Sequence, residues 1–204
     1  MNALTEEEKQ QGYRLLFDGE TKNGWVATQS PEGWLAQDGV ILCKGGNKGY
    51  LYTVDRFENF IFQVEYRAEA KVNSGIFFRW TDPEDPVHTG LEMQILDTYD
   101  QEQMEKHSSG ALYDLVAPSS NAVRRAGEWN QITIKCDRNE IQLTLNGITV
   151  VEADIDQWSV AGKNPDGTDN KFKYAWRDRP RLGHIGLQDH GGRIEFRNMK
   201  IMEL

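Results

Sequence analysis

Three short stretches carry the residue types best suited to chemistry. In Gly90-Leu-Glu-Met-Gln-Ile-Leu-Asp97, strand alternation sends Leu91, Met93 and Ile95 to one face and leaves Glu92 and Gln94 together on the other. Asp97 has the wrong parity for a flat strand, and a β-bulge after Gln94, or the strand ending there, returns its carboxylate to the Glu92 side. In Asn73-Ser-Gly-Ile-Phe-Phe-Arg79, Ile76 and Phe78 alternate with Phe77 and Arg79. A strand apolar on both sides has its outer face covered as well, which puts Arg79 inside a cleft. His184-Ile-Gly-Leu-Gln-Asp-His190 sends Ile185 and Leu187 inward and Gly186, Gln188 and His190 outward. Lys44, in a Gly-rich turn, joins this group. If the three strands adjoin, Glu92, Gln94, Arg79, Gln188 and His190 share one hollow, with Trp80, Tyr99, Tyr113 and Trp176 as flat surfaces beside it. Donors and acceptors next to aromatic rings suit a carbohydrate, whose hydroxyls need both and whose C–H face stacks on a ring. The plain reading of the same residues is a solvated sheet face.

The elements that must position these groups are short alternating runs, and almost no helical stripe appears. Strand candidates are 34–36, 40–43, 50–52, 60–68, 75–80, 91–96, 110–113, 129–137, 140–145, 148–153, 184–188 and 193–204. Turn signals punctuate them at Asp38-Gly39, Lys44-Gly-Gly-Asn47, Asn73-Ser-Gly75, Asn146-Gly147 and His190-Gly-Gly192. Asn146-Gly147, between Ile141–Leu145 and Ile148–Val151, predicts a type I′ hairpin, because both residues tolerate positive φ. The pattern predicts an all-β antiparallel sandwich. A short capped helix is expected over Leu4–Gln11, starting at Thr5. A long excursion around residues 158–182 is expected to fold back over one face, docked by Phe172, Tyr174 and Trp176.

The 204-residue length fits one domain spanning 1–204. Lys and Arg number 23 against 32 Asp and Glu, a formal charge of −9. Such a surface repels phosphate backbones and anionic bilayers, so neither nucleic acid nor membrane is the expected partner. No stretch reaches the roughly 18 consecutive apolar residues of a membrane span. The start, Met1-Asn-Ala-Leu-Thr-Glu-Glu-Glu, lacks the basic and apolar segments of a secretory signal, which fits a cytoplasmic chain or one with a trimmed leader. Cys43 and Cys136 sit in strand-like runs and read as buried free thiols. Asp18 reads as a turn residue, and Trp129 as a core residue.

Several motifs, spread in order over nearly the whole chain, closely resemble the 3-keto-disaccharide hydrolase domain family. They are Leu15-Leu-Phe-Asp-Gly19 with Gly24-Trp25, Asn73–Arg79, Gly90–Asp97, Gly127-Glu-Trp-Asn130, Leu145-Asn-Gly147, and Gly186-Leu-Gln-Asp-His-Gly191 with Phe196-Arg-Asn198. The resemblance implies a concanavalin A-like β-sandwich jelly roll from glycan-degrading bacteria. More distantly it extends to retaining glucanases, whose catalytic strand reads Glu-x-Asp-x-x-Glu. Glu92, Gln94 and Asp97 occupy that spacing, but Gln94 carries no charge and Asp97 is shorter than Glu, which argues against double displacement on an unmodified glucan.

A 3-keto-sugar offers a route without that carboxylate pair. The ketone acidifies the C2 proton, one base removes it, the C1 leaving group departs, and water adds to give net hydrolysis. The shared face and the positions within these motifs point to Glu92 or His190 as base, Arg79 as enolate clamp, and Asp97 or His190 as acid. Gln94, Gln188, Lys44, Tyr113 and Trp176 would bind the sugar. No cofactor is required, although a divalent metal ion held by Glu92, Asp97 or His190 could assist the clamp. His88 and His107 lie in polar loops without regular ligand spacing. The alternative function is a noncatalytic carbohydrate-binding module of the same fold, and a structural or interaction domain is a third.

Overall fold

The computed structural model describes residues 2–204. The chain opens with α1 (Glu6–Gln11), held by a full capping box between Thr5 and Glu8 and closed by Gly12 in the left-handed region. Strands β1 (Arg14–Leu15), β2 (Trp25–Ala27), β3 (Trp34–Gln37), β4 (Val40–Cys43), β5 (Leu51–Thr53), β6 (Phe60–Ala68) and β7 (Asn73–Trp80) follow. A single turn of helix, α2 (Pro86–Thr89), precedes β8 (Leu91–Leu96). After a long loop come β9 (Asn130–Asp137), β10 (Glu140–Leu145) and β11 (Ile148–Asp154). The excursion then leads to β12 (His184–Leu187) and β13 (Ile194–Glu203).

These strands form two antiparallel sheets. The eight-stranded sheet runs β11-β10-β9-β6-β13-β4-β3, with β1 added beside β13; the five-stranded sheet runs β2-β5-β12-β7-β8. The concanavalin A-like sandwich is therefore present, with period-2 burial along β6 and β9 as a half-exposed sheet requires. Phe62, Val64, Ile132, Ile134 and Phe196 of the larger sheet meet Leu51, Ile76, Phe78, Met93 and Leu187 of the smaller. Asn146 and Gly147 take φ of 51° and 82°, closing the β10–β11 hairpin as expected. Cys43 and Cys136 are free and buried.

Some expectations shift. Asn73-Ser-Gly75 lies inside β7 rather than forming a turn, because its backbone pairs with 94–96 of β8. The run 110–113 contributes only isolated bridges at Leu112, to Met93 and to Val116. Trp129 is half-buried on the outer side of the large sheet, where Arg197 and Arg67 stack on its ring at 3.7 and 4.8 Å. It is an amphipathic platform for two cations rather than a core residue. The excursion does dock: Phe172 and Trp176 are buried and meet edge-to-face at 5.1 Å, while Tyr174 stays exposed. No helix among the described residues is long and apolar enough to cross a membrane.

Candidate active site on the outer face of the five-stranded sheet

Strand register lines up two rows of side chains on the side of the small sheet that faces away from the core. Pairing of β5, β12, β7 and β8 places Tyr50, Gln188, Gly75 and Gln94 in one row. Val26, Tyr52, Gly186, Phe77 and Glu92 form the next. The two glycines matter because each leaves room for a neighbour to lie flat across the sheet. A Cβ at Gly75 would stand 2.0 Å from Glu92 Oε1, and one at Gly186 would stand 2.7 Å from the Trp80 ring. The Glu92 carboxyl thus stretches over Gly75 toward the Gln188–Tyr50 side, and Trp80 covers Gly186.

Around the carboxyl the face is aromatic. Tyr50 and Phe77 meet edge-on at 5.3 Å, and Trp80 packs on both at 5.6 and 5.9 Å, geometry that suits ring quadrupoles. Gln188 Nε2 donates to the Tyr50 hydroxyl at 3.3 Å, and Gln94 Nε2 donates to Asn73 Oδ1 at 2.9 Å. Gln188 Oε1 is buried without a partner. Glu92 is only 8% exposed, and among the described residues nothing donates a hydrogen bond to its carboxyl. Burial pushes its pKa from 4.5 up to about 8, with the Lys171 charge pulling partly the other way. A carboxylate that is costly to ionise and has no internal partner is a strong base for a ligand that brings an acidic proton. Past Tyr50 and Tyr52 the surface opens into a recess of about 300 Å³, edged by Thr28, Gln29 and Glu84.

One wall comes from the loop after β8 and from the excursion. The Tyr113 N–H donates to the Glu92 carbonyl at 2.9 Å, so this ring is tied to the residue that carries the carboxyl. Lys171 Nζ sits 4.0 Å from the Tyr113 ring centre. Asp114 accepts the Lys171 N–H at 2.8 Å and lies 3.0 Å from His107 Nε2.

The residues named from sequence therefore divide. Glu92, Gln94, Gln188 and Tyr113 come together. Arg79 does not join them. It takes φ of 49° at a point where three steps of β7 oppose two of β12, a bulge that reverses side-chain parity. Trp80 consequently faces the site, while the Arg79 guanidinium donates to the Glu58 carbonyl from Nε at 3.1 Å and Nη2 at 3.0 Å. Asp97 lies beyond the end of β8, and its carboxylate accepts the Lys71 N–H at 2.7 Å; it closes the β6–β7 turn instead of returning to Glu92. Trp176 is 3% exposed within the core cluster and offers no face to a sugar. Lys44 and His190 are both exposed, on turns that meet where Gly46 N–H donates to the Gly191 carbonyl at 3.3 Å. Neither makes a hydrogen bond or ion pair through its side chain among the described residues. Tyr99 is stacked by Arg125 at 5.0 Å. Nor do three or more His, Cys, Asp or Glu side chains converge anywhere among the described residues; Glu92, Asp97 and His190 do not form a metal-ligand set.

Sequence reading passed over Tyr50, Tyr52, Phe77 and Lys171 as site residues. The Tyr50/Tyr52 alternation was the available signal for the first two. Lys171 had none, since only docking of the excursion brings it near.

The 3-keto-alpha-glucoside-1,2-lyase-like domain family matches residues 12–202. A 3-keto-disaccharide hydrolase from Bacteroides thetaiotaomicron is 26% identical over 95% of this chain and 79% of its own length. A candidate glycosyl hydrolase from Parabacteroides distasonis superposes with a TM-score of 0.84 at 30% identity, covering 94% of this chain and 99% of that one. The carbohydrate-binding module CBM66 from Bacillus subtilis shares the fold, with a TM-score of 0.54 at 11% identity over 87% of this chain and 94% of that one. The family match, the Bacteroides relative and the Parabacteroides structure support a glycoside hydrolase-like function. With its two-sheet sandwich and a match over nearly its full length, the chain belongs to the 3-keto-alpha-glucoside-1,2-lyase-like domain family.

Proposed function

We propose that the protein cleaves 3-keto-glycosides by removing the C2 proton, expelling the C1 substituent and adding water, with Glu92 as the base. The observation that carries this reading is the buried, unpartnered carboxyl of Glu92 laid over Gly75 on an aromatic-lined face. Its chemistry suits a 3-keto-disaccharide, the substrate for which the Bacteroides relative is named. Glu92 takes the proton from C2, and the C–H electron pair becomes the C2–C3 double bond of an enolate. That pair then returns to expel the glycosidic oxygen from C1, which leaves protonated. Water adds its hydroxyl at C1 and a proton at C2, so the sum is hydrolysis. Glu92 passes the proton it took to the departing oxygen, and the added water supplies the proton that arrives at C2.

The amides of Gln94 and Gln188, with the Tyr50 hydroxyl, supply donors and acceptors for sugar hydroxyls, and Tyr50, Tyr52 and Trp80 supply apolar surface. The recess beyond Tyr52 has room for the group attached at C1. The test is incubation with a 3-keto-glucoside carrying a chromogenic aglycone and with its unoxidised parent. Release from the keto form alone is expected, with kcat/KM rising as pH approaches about 8. Equal release from both, or from neither with binding retained, overturns the proposal; the last result would identify a carbohydrate-binding module.

A further inference from the structure

We propose that the Lys171 ammonium stabilises the enolate oxygen that forms when Glu92 takes the C2 proton, the part first expected of Arg79. This rests on the reading of the site given above. Arg79 is committed elsewhere, with its Nε and Nη2 on the Glu58 carbonyl. An enolate needs a positive charge or donors beside its oxygen, because groups already fixed in place stabilise developing charge without the reorganisation that water requires.

Lys171 meets that need on four independent counts. First, although the residue is exposed, its side chain lies over the Tyr113 ring, with Nζ 4.0 Å from the ring centre. Tyr113 is itself fixed to β8 through its N–H bond to the Glu92 carbonyl. Second, its backbone is pinned by Asp114, whose other oxygen lies beside His107. The His107 ring packs on Tyr113 at 4.8 Å, so the lysine, the tyrosine, the aspartate and the histidine form one small unit. Third, the chain on either side is anchored. Phe172 is 5% exposed, and Lys173 bridges Asp85 at 3.8 Å. Fourth, the ammonium is uncommitted. In a chain with 32 Asp and Glu, no carboxylate among the described residues forms an ion pair with Lys171. The excursion thus delivers a cation without a carboxylate partner to the wall beside Glu92, close enough for its charge to act on that carboxyl.

During the step Lys171 donates a hydrogen bond and keeps its proton. The electron pair from the C2–H bond moves into C2=C3, the carbonyl pair moves to oxygen, and the proton goes to Glu92. The charged and titratable groups whose fields reach Glu92 are Lys171 from the excursion and Tyr50 just before β5; His107 and Asp114 lie behind Lys171, against Tyr113 and the Lys171 backbone.

The experiment compares Lys171→Met, which keeps an alkyl stem on Tyr113, with Lys171→Arg, which keeps the charge, and with Glu92→Gln. Each is assayed on a 3-keto-glucoside by steady-state kinetics across pH and by thermal melting. Lys171→Met is expected to lose about 10²–10³-fold in kcat with KM changed far less, as for loss of one oxyanion donor. The rise of its kcat/KM with pH should move to higher pH, and its melting temperature should hold. Lys171→Arg should recover most of the loss. A Lys171→Met variant within threefold of wild type, while Glu92→Gln is inactive, overturns the lysine's part and leaves the Glu92 reading standing. Equal loss in Met and Arg variants, or loss with a lowered melting temperature, makes the residue a structural support and also overturns it. An active Glu92→Gln variant overturns the reading of the site itself, and the role of Lys171 falls with it.

Discussion

Glu92→Gln should make the protein more stable, and only where the wild-type carboxyl is forced to ionise. The folded-state pKa is raised from 4.5 to about 8, so between those limits the folded chain holds a proton that the unfolded chain has released. Stability linked to this group is fully present below about pH 4.5, declines as pH rises, and is gone above about pH 8. At about 1.4 kcal/mol per pH unit, the interval sets a ceiling of roughly 5 kcal/mol. The exposed edge of the carboxyl admits some water and lowers this, so ~2–4 kcal/mol is the expected effect. Urea unfolding of both proteins near pH 5 and near pH 8.5 gives the four free energies required. The advantage of the Gln variant over wild type should be larger at the higher pH by that amount. Differences in packing of the amide cancel in this comparison, as do all other titrating groups. A difference that does not change with pH would refute the idea that Glu92 is a desolvated carboxyl, and with it the source of its basicity.

Three other outcomes follow from the geometry. Gly75→Ala places a methyl where the Glu92 carboxyl now lies; the flexible side chain swings aside, so unfolding free energy should change by under about 1 kcal/mol while kcat on the keto-glycoside falls at least tenfold. Arg79→Met strips the Glu58 carbonyl of its two donors and should cost ~1.5–3 kcal/mol in denaturant unfolding, with turnover per folded molecule within threefold of wild type. Trp176→Ala should cost ~3–5 kcal/mol, the penalty for emptying a large buried site; a loss below about 1 kcal/mol would return this ring to the surface role first expected of it.

Much of the sandwich could be read from the chain because alternation is a local signal. Each of Phe60–Ala68, Leu91–Leu96 and Asn130–Asp137 writes its buried face into its own residues, and Asn146-Gly147 writes its turn. Glu92, Gln94 and Gln188 were legible for the same reason, since parity within a regular strand is enough to group them. Arg79 was misread where that regularity fails: an added residue in β7 turns the guanidinium toward Glu58, and no side-chain pattern in Phe77-Phe78-Arg79-Trp80 announces the bulge. Asp97 was misread because β8 stops one residue earlier, which leaves the carboxylate to the backbone of Lys71. Trp176 and Lys171 belong to a segment without periodicity, where tertiary docking alone decides which side chain is buried and which reaches the site.

The central claim is that Glu92 removes the proton at C2 of a 3-keto-sugar, and exchange with deuterated water reports that step alone. With a 3-keto-glucoside in D₂O, wild type should place deuterium at C2 of recovered substrate or product, and Glu92→Gln should fail to do so while still folded. Product formed by wild type without deuterium at C2, or exchange by Glu92→Gln at the wild-type rate, would contradict it.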